Sequence, residues 1–195
     1  MHATRGPHEP LPIVFLDIDD VLCLNDCYGG ADALAAVRGQ HSDAATVLRR
    51  IFARQPARVL HSVHDAMQGQ LRYVISSSWR EVFSRAQIER VFDAAGLGCV
   101  VSSLHPQWST PVTQPRLTRV DEIGAWLREH HHGEPFVVLD DDFSGGSLAA
   151  IARDCAHPWA ERVLLCRVGV GLCEQHADAI LVALRRPCAA LSSRR

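Results

Sequence analysis

Two aspartates, two residues apart, close the apolar run Ile13-Val14-Phe15-Leu16-Asp17-Ile18-Asp19-Asp20-Val21-Leu22. A segment apolar on both faces until Asp17 reads as a buried strand that delivers acid groups to the edge of a sheet. In nearly extended backbone Asp17 and Asp19 point to the same side, so their carboxylates converge on one small volume. Such a pair repels itself unless a cation or a proton is present. The combination points to a divalent metal, a nucleophile and a proton donor in one place. The competing reading is a polar loop with aspartates as turn or cap residues. It loses ground because the pattern recurs: Leu71-Arg72-Tyr73-Val74-Ile75 runs into Ser76-Ser77-Ser78-Trp79-Arg80, and Phe136-Val137-Val138-Leu139 runs into Asp140-Asp141-Asp142.

These groups need elements to hold them. Strands are expected at Pro12–Asp17, Leu71–Ser76, Cys99–Val101, Phe136–Leu139 and Val163–Cys166. Between them, Val47, Leu48, Ile51 and Phe52 recur at helical spacing behind Ser42-Asp43, and Pro56 suits the first turn of a second helix that Gly69 stops. Ser84-x-x-Gln87 forms a capping box for a third helix ending near Gly96, and Thr118 caps a fourth whose buried face is Val120, Ile123, Trp126 and Leu127. Two more helices are expected from Ser147 and over 174–185. The stretch Ser102 to Thr118 carries Pro106, Pro111 and Pro115 and reads as a long surface loop. Strands alternating with helices give an α/β fold, a five-stranded parallel sheet with helices on both faces. Ligands of such sheets bind beyond the carboxyl-terminal strand ends, where Asp-x-Asp, Ser-Ser-Ser and Asp-Asp-Asp all collect.

The 195 residues suffice for one domain, expected over 11–186 between a flexible leader (1–10) and a flexible tail (187–195). No apolar run approaches the ~18 residues of a membrane span, and no secretory signal is evident, so a cytoplasmic location is expected. Seven cysteines without a Cys-x-x-Cys pair fit reduced thiols rather than disulfides or a zinc site. The histidines at 130–132 fit an exposed helix end better than a metal site. A net charge of −2 offers no broad field for nucleic acid. All fixed cations are arginines, so any phosphate-binding cation here is a guanidinium fork.

Asp17-x-Asp19, the serine run, an arginine ahead of the fourth strand and Asp140-Asp141 together resemble the four motifs of the haloacid dehalogenase (HAD) superfamily of phosphotransferases. The resemblance spans about residues 12–185. It implies a Rossmann-like HAD fold with strand order 5-4-1-2-3 and a minimal cap, because the insert at 23–70 has room for about two helices. The site would then be open, or covered by a loop or another subunit. It further implies that Asp17 is the nucleophile and forms an aspartyl-phosphate. Asp19 would be the general acid and base, with its backbone carbonyl on the metal. A serine, Ser77 with Ser76 close behind, would hold a phosphate oxygen. Arg80 would either meet the substrate phosphate or tie the site's acids together.

The motif cation would be Arg119 or Arg116. Arg119 is preferred because Arg119-x-x-Glu-Ile-x-x-Trp-Leu and Ser-Ser-Ser-Trp-Arg are similar to a subgroup found in RNA-repair-associated and stand-alone bacterial proteins. Asp140 and Asp141 would complete a Mg²⁺ shell with Asp17 and Asp19, Asp142 replacing either by a one-residue shift. The expected reaction is Mg²⁺-dependent hydrolysis of a phosphomonoester, either a small molecule or a nucleotide. A nucleic-acid end or a non-catalytic phosphate- or protein-binding module are the alternatives, and the oligomeric state stays open. One departure from the family pattern is Asp20, where Gly or Thr is usual.

Overall fold

The first strand, β1 (Ile13–Leu16), is buried on both faces because it lies at the centre of the sheet. It pairs in parallel with β2 (Arg72–Ile75) on one side and β4 (Phe136–Asp141) on the other. Leu16 lies opposite both Ile75 and Leu139, so the next residue of each strand, Asp17, Ser76 and Asp140, emerges at the same level. β3 (Leu104–Ser109) flanks β2 and β5 (Val163–Cys166) flanks β4, giving the order β3-β2-β1-β4-β5. This is the expected parallel α/β sheet. The computed structural model describes residues 10–112 and 117–188. Arg116, nearly all of the expected leader and most of the expected tail lie outside the described residues.

The side-chain period of two splits the core into two layers. Val14 and Leu16 face one layer, which α1 (Gly30–Val37), α2 (Ala44–Arg50), α3 (Arg54–Ala66), α4 (Arg85–Ala94), α5 (Gly98–Ser102) and α8 (Glu174–Arg185) cover. Ile13 and Phe15 face the other, against Ile123 and Trp126 of α6 (Arg119–His130) and Leu148 of α7 (Gly146–Arg153). The insert after β1 holds three helices rather than two. The unexpected one, α1, starts behind Gly29-Gly30, where the Asp32 carboxylate accepts the Gly29 N–H at 2.8 Å and caps the turn. Its Ala33 and Ala36 join the same apolar layer as Val14, so α1 packs on that face of the sheet.

The third strand is not Cys99–Val101. Those residues lie in α5, and β3 occupies the first part of the stretch read as loop. Pro106 hides the strand: β3 is an edge strand that pairs only with β2, where a missing N–H costs nothing on the outer side. Its register also shifts between Tyr73 and Ile75, as a bulged edge allows.

Local caps agree with the sequence. Ser84 and Gln87 form a reciprocal capping box for α4, and Thr118 and Asp121 do the same for α6. The Thr118 hydroxyl accepts the Asp121 N–H at 3.3 Å, fixing the first turn from which Arg119 projects. Thr118→Ala should therefore cost about 1 kcal/mol of stability by urea denaturation.

Candidate active site at the carboxyl-terminal edge of the sheet

Directly after β1 the chain makes a tight turn in which the amides of Leu22 and Cys23 both donate to the Ile18 carbonyl at 2.9 Å. Asp20 takes a left-handed conformation at its crest, φ 54°. Its carboxylate accepts the Gly169 N–H at 2.9 Å, so the extra charge is directed to the loop after β5. Asp19 is half-buried and turns the other way, accepting the Trp79 indole N–H at 2.9 Å. Trp79 sits in a one-turn 3₁₀ helix, Ser78–Glu81, that opens at the end of β2.

Asp17, Asp140 and Asp141 are all buried, and one oxygen of each lies within 4.8 Å of the others. No other group of three metal-competent side chains converges in this way among the described residues. Asp142 is exposed and outside the cluster, its carboxylate accepting the Val168 N–H at 3.2 Å. Asp141 is locked by its own turn, accepting the amides of Phe143 and Ser144 at 2.7 Å each, while the Ser144 hydroxyl contacts both Asp141 and Asp140. Gly145 completes the turn, and a side chain there would run into the Asp141 carbonyl.

Arg119 is the cation of the cluster. Its Nε donates to Asp140 at 2.9 Å, its Nη2 lies 3.5 Å from Asp17, and its Nη1 lies 3.4 Å from Glu122. Arg80 stands behind it. Arg80 Nη2 lies 2.6 Å from the other oxygen of Glu122, and its remaining donors reach the Thr110 and Ser77 carbonyls at 3.1 and 2.6 Å. Glu122 is buried and bridges the two guanidiniums. The Arg80 guanidinium is therefore directed at protein groups rather than at the open edge.

The electrostatics follow from burial. Asp17 is pushed well above the usual carboxylate range by desolvation and by Asp140, with Arg119 opposing. Asp140 is raised to about 6, again chiefly by burial, and Asp19 is raised by burial against the Trp79 hydrogen bond. Burial works against the Arg119 charge, yet Asp140, Asp17 and Glu122 outweigh it and hold the guanidinium firmly protonated. Three buried atoms at the site, Asp17 Oδ2, Ser76 Oγ and Thr110 Oγ1, have no partner. The Ser77 hydroxyl accepts the Trp79 N–H at 3.4 Å and hydrogen-bonds Asp17, which favours the ionised carboxylate.

Sequence reasoning assigned no function to Trp79, Glu122 or Ser144. Glu122 had a signal in its Arg-x-x-Glu spacing from Arg119, and Trp79 in its place within the serine motif; Ser144 had none. A larger cavity, about 650 Å³, lies at the amino-terminal ends of β4 and β5, beside Trp159 and Arg162 and away from the acids. No helix among the described residues is long and apolar enough to cross a membrane.

A buried acid trio and an arginine at the carboxyl-terminal edge of a β3-β2-β1-β4-β5 parallel sheet define the chain as a HAD-superfamily protein, a class that is generally hydrolytic and mostly phosphatases. Residues 13–177 match the family described as the HAD domain in Swiss Army Knife RNA repair proteins, and the chain belongs to that family. No curated protein and no solved structure matches it significantly.

Glu122→Gln strips the charge that both buried guanidiniums share, and should destabilise the fold by about 3 kcal/mol. Glu89→Gln, which breaks the exposed Arg85–Glu89 pair at 2.8 Å, should cost under about 0.5 kcal/mol. Urea denaturation of the two variants checks the contrast.

Proposed function

We propose that the chain is a Mg²⁺-dependent phosphatase that hydrolyses a phosphomonoester through an aspartyl-phosphate on Asp17. The observation that carries this reading is the Asp17 carboxylate, buried beside Arg119 and Asp140 with Oδ2 unpartnered. A buried carboxylate oxygen without a donor is costly unless a ligand takes it. The donor set suits a hard divalent cation: Asp17, Asp140, Asp141 and Glu122 carry four charges against two on Arg119 and Arg80, and oxygen-only ligation is what Mg²⁺ prefers. Asp17, Asp140 and Asp141 would hold the ion, with the Asp19 backbone carbonyl. When bound, it neutralises charge on the acids and on the phosphoryl oxygens.

The chain's own residues then divide the work. Asp17 attacks phosphorus, an O–P bond forms to its carboxylate, and the bond to the leaving oxygen breaks. Asp19, whose pKa is raised by burial, gives its proton to that oxygen. It later takes a proton from the water that releases phosphate. Trp79 fixes Asp19 in place through the indole hydrogen bond. The Ser77 or Ser76 hydroxyl donates to a phosphoryl oxygen, and Arg119 favours the ionised form of Asp17 against the effect of burial while offsetting phosphoryl charge. Arg80, paired to Glu122, acts by holding Arg119 rather than by reaching substrate.

The substrate is a small-molecule or nucleotide phosphomonoester. A nucleic-acid end is the second reading, favoured by the family's description. All seven cysteines are free thiols, which suits the cytoplasm proposed for the protein.

Hydrolysis of a generic aryl phosphate tests the proposal. Turnover should require Mg²⁺, stop on chelation, and fall at least about 10³-fold in Asp17→Asn. Turnover that persists in Asp17→Asn would contradict it, and a chain that binds Mg²⁺ yet turns over no phosphomonoester would be a binding module.

A further inference from the structure

The large apolar side chains that the described residues leave exposed are not scattered. Val82 follows the end of β2, Val112 follows β3, Phe143 follows β4, Val168 and Val170 follow β5, and Leu117 enters α6; Val182 of α8 alone lies elsewhere. Six of these seven side chains thus belong to connections at the carboxyl-terminal side of the sheet, where the acid cluster lies. An apolar rim concentrated at a reaction site is informative where single exposed residues are not.

Phe143 stands out within the rim, being 86 % exposed. Its backbone cannot withdraw it, because its N–H donates to Asp141 Oδ1 at 2.7 Å and the turn that anchors it is the one that locks the acids. The ring is therefore rooted two residues from the acid trio. A cavity of about 300 Å³ places Phe143 and Leu117 on one lining with Arg119, Glu122 and Ser144. Two apolar side chains thus share a cavity with the site's cation, in a volume at the lower bound for small-ligand pockets. An aromatic side chain offered to solvent, with Ser147 on the same lining, suits a flat ring with polar edges.

We propose that Phe143 is a specificity-determining residue on which the nucleobase of a nucleotide phosphomonoester stacks while its phosphate is held at Asp17 and Arg119. This rests on the phosphatase reading of the same site. The base is recognised by its face, which gives a preference for nucleotides over aliphatic phosphates with little discrimination among bases.

Binding and turnover of adenosine monophosphate and glycerol phosphate, measured on the full chain with Mg²⁺, test the proposal. Phe143→Ala should weaken adenosine monophosphate binding, and raise its KM, by about 5- to 150-fold, the range that removal of one base–aromatic stack produces. Glycerol phosphate should be unaffected, and Phe143→Trp should retain the nucleotide preference. A single-stranded oligonucleotide with a terminal phosphate, run alongside, separates a strand end from a free nucleotide as the source of the base. Equal effects of Phe143→Ala on both phosphates, or no effect on either, would overturn the stacking role and leave the phosphatase reading intact. A base-dependent binding difference without Asp17-dependent turnover would uphold the stacking role and reject the phosphatase reading.

Discussion

The site depends on one buried guanidinium. Arg119 touches Asp140, Asp17 and Glu122 at once, and without it Asp140 and Asp17 would stand in low dielectric with no permanent counter-charge. Even with it the charges do not balance. Glu122 is matched by Arg80, and Arg119 can offset one further charge, which leaves the acids in excess. Burial first, and the neighbouring acids after it, raise the pKa values of Asp17 and Asp140. A proton or a cation relieves such a cluster, and protons compete less well as pH rises.

What brings these groups together is register. Because Leu16 lies level with Ile75 and Leu139, the residues that follow them on three neighbouring strands are an acid, a serine and an acid at one level of the sheet. The strands are apolar on both faces, so they hold these residues rigidly from below. The turns above are then shaped for the side chains they carry: the left-handed Asp20 turns its own charge away, and the tight turn after Asp141 spends two backbone amides on one carboxylate oxygen. The helices of the insert pack against one face of the sheet and share its apolar layer.

Much of this was legible in the sequence, for reasons that differ by element. β1 and β4 declared themselves because an uninterrupted apolar run that ends in acids fits a central strand and little else. The caps at Ser84 and Thr118 declared themselves because a capping box is local chemistry. β3 was hidden because its signals are those of an edge: Pro106, polar neighbours and an irregular register. α1 was hidden behind Gly29-Gly30, which reads as a loop until the Asp32 cap is seen. Within the site, the separation of Asp140 and Asp141 from Asp142 needed the turn after β4, since three identical residues carry no order of their own. The Arg80–Glu122 pair joins two elements far apart in the chain, and Arg80 could be assigned to Glu122 rather than to the open edge only once both were placed.

The central claim is that the acid cluster is a cation site, and the most direct measurement is the Mg²⁺-dependent change in melting temperature as a function of pH. Because Asp17 and Asp140 titrate above their unfolded range, the folded chain holds extra protons there. The contribution of these groups to stability therefore falls as pH rises from about 4 through the Asp140 value of about 6. Mg²⁺ competes with those protons. At pH 7.5, Mg²⁺ at a hundredfold excess over its Kd should add about 2.7 kcal/mol, or roughly 5–10 °C in melting temperature. The increment should shrink toward zero at pH 5 and be lost in Asp140→Asn at pH 7.5. No increment at pH 7.5, or the same increment at both pH values, would contradict the account.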